Sequence, residues 1–266
     1  MRAWVSRNSP RIRTFFPTTK KYVTTWVVGD IHGCAEELHL LLERLQLGSD
    51  DQFVCVGDLF HRGPDPTGVM DLLIAAGATF VLGNHEHKVL ERCGLAPKST
   101  SDRPEFRERF PDIESDDLRG DGRRRCEVPP ERRADVLRFL QQHKGYWLDS
   151  HSIDGAGLTP DGRNWYVVHA GVEPGCPLEQ SPIESLTRAR RVQGKGSPYW
   201  YERFEGPELV LFGHTPGKIP RARMFGGRLV ALGLDTACVY GGALTAYSPE
   251  LDEIAAIPAI KSYATS

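Results

Sequence analysis

The chain has 266 residues, with 33 Lys and Arg against 35 Asp and Glu, and a formal net charge of −2. Hydrophobic residues make up 40% and charged ones 26%, which supports a buried core and excludes wholesale disorder. So balanced a charge excludes a protein that coats nucleic acid, and no apolar run reaches the roughly 18 residues of a transmembrane helix.

The chain opens with Arg2, Arg7, Arg11, Arg13, Lys20 and Lys21, all before the first acid, Asp30. No apolar h-region follows them, so residues 1–21 read as a solvated basic tail rather than a secretory signal. Short β-branched and aromatic runs then recur at Tyr22 to Val28, Phe53 to Val56, Thr79 to Leu82, Trp165 to Val168, Leu209 to Phe212, Leu229 to Leu232 and Ala243 to Tyr247. Each ends in Gly or a polar turn and predicts a buried strand. Leu38, Leu41, Leu42 and Leu45 carry the i, i+3, i+4, i+7 spacing of an amphipathic helix. Pro66 to Ala76 predicts a second helix, with Pro at its start and Gly77 past its end, and Glu131 to His143 a third. Strands alternating with helices give an α/β class.

The stretch from Asp102 to Arg138 is different, with ten bases and eleven acids that nearly cancel. It reads as a charged helical insertion at about 100–145, either solvated or acting as a cap. Six cysteines, at 34, 55, 93, 126, 176 and 238, form no C-x-x-C pair. They point to reduced thiols in a cytoplasmic setting rather than a disulfide scaffold.

The polar residues just after the predicted strands carry the chemistry. They are Gly29-Asp30-Ile31-His32-Gly33, Gly57-Asp58-Leu59-Phe60-His61-Arg62-Gly63, Gly83-Asn84-His85-Glu86, His169-Ala170-Gly171 and Gly213-His214-Thr215. In an open α/β sheet such loops converge on one crevice. Each fragment alone is weak, but five of the nine histidines fall in these loops, beside Asp, Asn or Gly. Two Asp, one Asn and three His make an oxygen and nitrogen ligand set that suits Mn²⁺, Fe or Zn²⁺. Six protein ligands suit two cations rather than one, with an Asp bridging them for displacement at phosphorus.

In this order Asp30, His32, Asp58, Arg62, Asn84, His85, His169 and His214 resemble the calcineurin-like metallophosphoesterase superfamily, most closely its PPP-type phosphatases. These include phosphoprotein Ser/Thr phosphatases and symmetric diadenosine tetraphosphate hydrolases. The single histidine of Gly213-His214-Thr215-Pro216 follows the PPP form, and Leu234-Asp235-Thr236 to Gly241-Gly242-Ala243-Leu244 looks like the tail of bacterial members. The resemblance implies a two-sheet β-sandwich flanked by helices, as one catalytic domain over 22–266. It also implies two divalent metals, most simply Mn²⁺, with Asp30 and His32 on the first, Asp58 bridging, and Asn84, His169 and His214 on the second. His85 becomes the general acid and Arg62 the phosphate clamp. Asn84 also faces phosphate, and Arg190 is chosen over Arg188 and Arg191 as a second phosphate-binding arginine.

One position departs from the protein-phosphatase pattern. Where those enzymes carry an Asp beside the general-acid histidine, this chain has His61, an arrangement that also lacks the carboxylate in diadenosine tetraphosphate hydrolases. Glu86, in contrast, completes the Gly-Asn-His-Glu form of protein phosphatases. The expectation is a PPP-type phosphohydrolase in which metal-bound hydroxide attacks phosphorus. Its substrate is a phosphomonoester such as a phosphoprotein, with a symmetric dinucleoside polyphosphate as the alternative and an inactive binding module the remaining reading. No nucleic-acid or membrane partner is expected.

Overall fold

The computed structural model describes residues 11–12, 23–100, 128–173, 175–193 and 195–265. Its strands form two sheets. The first has the order β1 (Arg11–Ile12), β11 (Glu253–Pro258), β10 (Ala243–Ser248), β2 (Thr25–Val28), β3 (Gln52–Cys55) and β4 (Thr79–Phe80). The second has the order β5 (Trp147–Asp149), β6 (Trp165–Val168), β7 (Leu209–Phe212), β9 (Arg228–Gly233) and β8 (Arg221–Phe225). β2, β3 and β4 run parallel, as do β6, β7 and β9, while β10 pairs antiparallel with both β2 and β11.

The period of two along each strand explains why the parallel strands read as unbroken apolar runs. Val27, Val54, Val56, Trp165, Val167, Leu209 and Leu211 point into the seam between the sheets. Their neighbours Trp26, Val28, Phe53, Cys55, Val168, Val210 and Phe212 belong to the core outside the seam, beneath the helices. A strand covered on both faces loses the polar alternation of a half-exposed one.

Helix α1 (Ala35–Leu45) buries Leu38, Leu41 and Leu45, and stops where Gln46 turns left-handed and returns its N–H to Leu42. α2 (Pro66–Ala75) starts on Pro66, and the Asp65 carboxylate accepts the Gly68 N–H at 2.7 Å as its cap. The third predicted helix begins as a 3₁₀ turn at Pro130–Arg132 and continues as α4 (Arg133–Leu140), which stops short of His143. Its Phe139 stacks on Phe80 with ring centroids 4.9 Å apart, so this end of the charged stretch belongs to the core. The rest of that stretch, from 101 to 127, lies outside the described residues.

Several elements lie beyond the predicted ones. α3 (Asn84–Arg92) follows directly on the third motif, and α5 (Ile183–Arg188) spans six residues. β5, β8 and β11 are edge or near-edge strands, and β8 exposes three of its five residues. Within the basic tail, Arg11–Ile12 add a parallel edge strand to β11, whose outer backbone groups are open to pairing. No helix among the described residues is long and apolar enough to cross a membrane.

Candidate active site

Strands that end on the same rim each hand over to a polar residue. Asp30 follows β2, Asp58 follows β3, His169 follows β6 and His214 follows β7. Asn84 and His85 form the first turn of α3, behind the extended cap residue Gly83. The rim therefore draws Asp30, His32, Asp58 and Asn84 from the first sheet's loops, and His169 and His214 from the second's.

The backbone here is strained. His32, Asp58, Arg62 and His214 all have positive φ, at 50°, 52°, 81° and 63°. Such conformations cost of order 1–3 kcal/mol each and persist only where surrounding bonds impose them. Those bonds are present. The N–H groups of Ile31 and His32 both donate to Asp58 O, and Gly33 N–H donates to Leu59 O at 2.7 Å. From the other side, the buried Glu86 carboxylate accepts Asp58 N–H at 2.8 Å and Leu59 N–H at 2.9 Å. His85 N–H, at the positive end of α3, donates to Asp58 Oδ1 at 3.2 Å. Gly213 is required by close approach, since a Cβ there would lie 2.0 Å from Asp30 Oδ1.

The donor atoms converge in two groups. Those of Asp30, His32 and Asp58 lie within 4.8 Å of one another, and so do those of Asp58, His169 and His214. Asp58 belongs to both. His169 Nδ1 is 2.9 Å from the Val56 carbonyl, which can only accept, so Nδ1 carries the proton and Nε2 presents a lone pair. That lone pair faces Asn84 Oδ1 at 3.1 Å, His214 Nδ1 at 3.2 Å and Asp58 Oδ1 at 3.5 Å. The lone pair of His169 thus faces two oxygen acceptors, with the His214 ring beside them. His32 Nε2 likewise points inward, accepting from Arg62 Nη1 at 2.7 Å.

The electrostatics suit a cation. Burial holds His32, His169 and His214 below the usual imidazole range, in the neutral form that ligates metals. Burial, with Asp235 and Asp58 close by, raises the Asp30 carboxyl well above its usual range. Burial also opposes the charge on Asp58, but His169, His85, His32 and His214 outweigh it and hold that carboxyl well below the usual range. Asp235 is a third buried carboxyl beside these two, pushed up to about 6 by burial. Hard oxygen and neutral nitrogen donors crowded around unbalanced negative charge fit divalent cations.

Around the donors, His85 is buried with Nε2 3.8 Å from Asp58 Oδ2. Its ring stacks on that of His61, with centroids 4.8 Å apart and planes 28° from parallel. Of the three candidate arginines, Arg190 lies at the rim, where Nη2 donates to His214 O at 3.1 Å. Arg188 pairs with Glu184 at 3.5 Å and is largely exposed, while Arg191 covers the Tyr199 ring at 4.1 Å. Sequence reasoning had not assigned Asp235 or Glu86 a place in the site. Asp235 stands two residues past the end of β9, a position just beyond a strand that was the available signal. The grip of Glu86 on two amides 27 and 28 residues away left no local trace.

A family model described as calcineurin-like phosphoesterase matches residues 23–241. The chain belongs to the calcineurin-like phosphoesterase family. A symmetrical bis(5′-nucleosyl)-tetraphosphatase of Chromohalobacter salexigens is 29% identical over 268 residues, covering 84% of this chain and 94% of that one. The asymmetrical bis(5′-nucleosyl)-tetraphosphatase PrpE of Oceanobacillus iheyensis is 26% identical, covering 83% and 86%. Serine/threonine-protein phosphatase 1 of Salmonella typhimurium is 44% identical, over 73 residues and 27% of this chain. Among solved structures, a protein provisionally named a diadenosine tetraphosphatase superposes with a TM-score of 0.64 at 28% identity, covering 91% of this chain and 96% of that one. This phosphoesterase is therefore a metal-dependent phosphohydrolase of PPP type on the two-sheet fold expected, and its family implies divalent metals.

Proposed function

We propose that Asp30, His32 and Asp58 hold one divalent cation, that Asp58, Asn84, His169 and His214 hold a second, and that the site hydrolyses dinucleoside tetraphosphates. The observation that carries the metal assignment is the convergence of Asn84 Oδ1, His214 Nδ1 and Asp58 Oδ1 on the lone pair of His169. Oxygen acceptors packed around a ring nitrogen that carries no proton form a pocket that suits a cation. Mn²⁺ is the natural occupant, and Fe or Zn²⁺ also suits these donors. When bound, the pair supplies an activated water and neutralises phosphoryl charge.

The chain's own groups do the rest. Arg62 and Arg190 grip phosphate oxygens from two sides, and Asn84 adds its amide. His85 delivers a proton to the leaving oxygen. Glu86 and the α3 amide keep the Asp58 carboxylate aimed at both cations. For the substrate, the relatives matching nearly their whole length are named as tetraphosphatases. The stack of His61 on His85 agrees with that reading. An imidazole offers no negative charge to stabilise a protonated His85, and a nucleotide leaves phosphorus with less help from an acid than a serine alkoxide does. A phosphomonoester is the second reading, favoured by Glu86 in the Gly-Asn-His-Glu motif and by the local match to the Salmonella phosphatase. None of the five described cysteines is in a disulfide, which agrees with a reducing, cytoplasmic setting.

The test offers Mn²⁺-loaded protein diadenosine tetraphosphate, a phosphothreonine peptide and p-nitrophenyl phosphate in parallel, with chelated controls. Metal-dependent turnover of the dinucleotide far above the peptide is expected. Two ADP, or ATP with AMP, then reports where the chain is cut. Preference for the peptide would replace the nucleotide reading with the phosphomonoester one, and no metal-dependent turnover at all would overturn both.

A further inference from the structure

A second group of metal-binding side chains lies apart from the oxygen and nitrogen site. The Sγ atoms of Cys34 and Cys238 and a carboxylate oxygen of Glu37 lie within 4.8 Å of one another, and all three residues are buried. Cys34 caps α1, Glu37 stands in its first turn, and Cys238 lies in the loop from β9 to β10. Glu37 is fully buried. Its Oε1 accepts the Ile260 N–H and the Tyr263 O–H, each at 2.9 Å. Its Oε2 is also buried and has no hydrogen-bond partner among the described residues.

That oxygen is the anomaly. A buried acceptor without a partner costs of order 1–3 kcal/mol, and more when the group is charged. The two thiols within 4.8 Å of this carboxylate leave that oxygen without a hydrogen bond, and S–H is a weak donor in any case. Two thiolates and a carboxylate together, however, are a ligand set for a thiophilic divalent cation. We propose that Cys34 Sγ, Cys238 Sγ and Glu37 Oε2 bind Zn²⁺. The His32 carbonyl oxygen accepts the Cys34 S–H at 3.9 Å on one side of this cluster. Binding releases the two thiol protons to solvent and changes no oxidation state.

The position gives the cation a job. It ties α1 to the loop carrying Cys238 and to the C-terminal segment that covers both. That cover is a surface stretch with Lys261 exposed, anchored by Tyr263 N–H and Ala264 N–H on Val239 O at 2.9 and 3.0 Å. This segment lies directly against the cluster, through the Ile260 N–H and Tyr263 O–H bonds to Glu37. Cys34 is two residues from His32, so the ion braces the loop that carries this ligand of the phosphoesterase site.

Cobalt is the probe, because only sulfur ligation gives an intense thiolate-to-cobalt charge-transfer band. The Asp, His and Asn site holds no sulfur and cannot produce it, so the test does not depend on the assigned reaction. Wild-type protein loaded with Co²⁺ should show the band and lose it to added Zn²⁺. The C34S/C238S variant, with its fold checked by circular dichroism, should lack the band and bind one Co²⁺ fewer. E37Q should bind that ion more weakly. If the double variant does not fold, zinc-edge X-ray absorption on wild-type protein decides, with a sulfur shell expected at about 2.3 Å. No band in saturated wild type, a band that survives C34S/C238S, or zinc with no sulfur shell each overturns the proposal.

Discussion

Glu86→Ala is the sharpest test of how the site is held together. The wild-type carboxylate is fully buried and accepts two amides, Asp58 N–H and Leu59 N–H, at the turn where Asp58 has a φ of 52°. Alanine leaves both amides buried without acceptors, at about 1–3 kcal/mol each, so the fold should lose roughly 2–6 kcal/mol. The turn then relaxes away from its strained φ and carries the Asp58 carboxylate with it. A displacement of about 1 Å at a reacting centre is worth on the order of 100-fold in rate. Urea denaturation of the apo-protein gives the stability term, and kcat on p-nitrophenyl phosphate under saturating Mn²⁺ gives the catalytic one. Glu86→Gln keeps the volume and one acceptor, so it should fall between wild type and alanine on both scales. A Glu86→Ala protein within about 1 kcal/mol of wild type, with normal kcat, would refute the clamp.

Three further outcomes follow from particular contacts. Asp58→Asn should keep its circular dichroism spectrum but lose more than about 100-fold in turnover, beyond what outer partners of metal ligands typically contribute, and bind less Mn²⁺ by elemental analysis. His61→Phe preserves the stack on His85 and should leave kcat close to wild type. His61→Ala releases the ring and should lower kcat roughly 2–10-fold at constant KM, the worth of one aromatic pair. His143 is buried, and burial holds its imidazole at about 4 against an ordinary 6.5. The unfolded chain therefore takes up a proton as pH falls through 6.5 while the folded chain does not, and stability present above 6.5 is lost towards 4. In His143→Asn the amide oxygen still accepts the Gly145 N–H bond that His143 Nδ1 receives at 2.9 Å. Its urea midpoint should fall less between pH 7 and pH 5, by the equivalent of about 2 kcal/mol.

Much of the sandwich could be read from the chain because its central strands are covered on both sides. Trp165 to Val168 and Leu209 to Phe212 appear as solid apolar runs and are strands over those same residues. α2 was legible from both ends, through Pro66 and Gly77. Elements without such marks were not. β8 mixes Arg221, Arg223 and Phe225 on an exposed edge, where pairing rather than burial decides the conformation. The proposed ligand residues stood out because chemistry restricts which residue types can serve and strand ends fix where they fall. Asp235 and Glu86 act through contacts that form only after the two sheets and α3 meet, and periodicity carries no record of those.

Asp58 grows from one sheet and His169 from the other, and their facing atoms are 3.5 Å apart. The cation proposed to be held by both would be a rivet through the seam, loading only when the sheets stand at the right separation. Metal affinity then becomes a gauge of that gap. A change deep in the seam, such as Trp165→Leu, touches no ligand yet should weaken cation binding. The relation also runs backwards, since an ion that binds only the native state stabilises it by RT ln(1 + [L]/Kd). How much damage this core tolerates is therefore set partly by the metal supply of the cell around it.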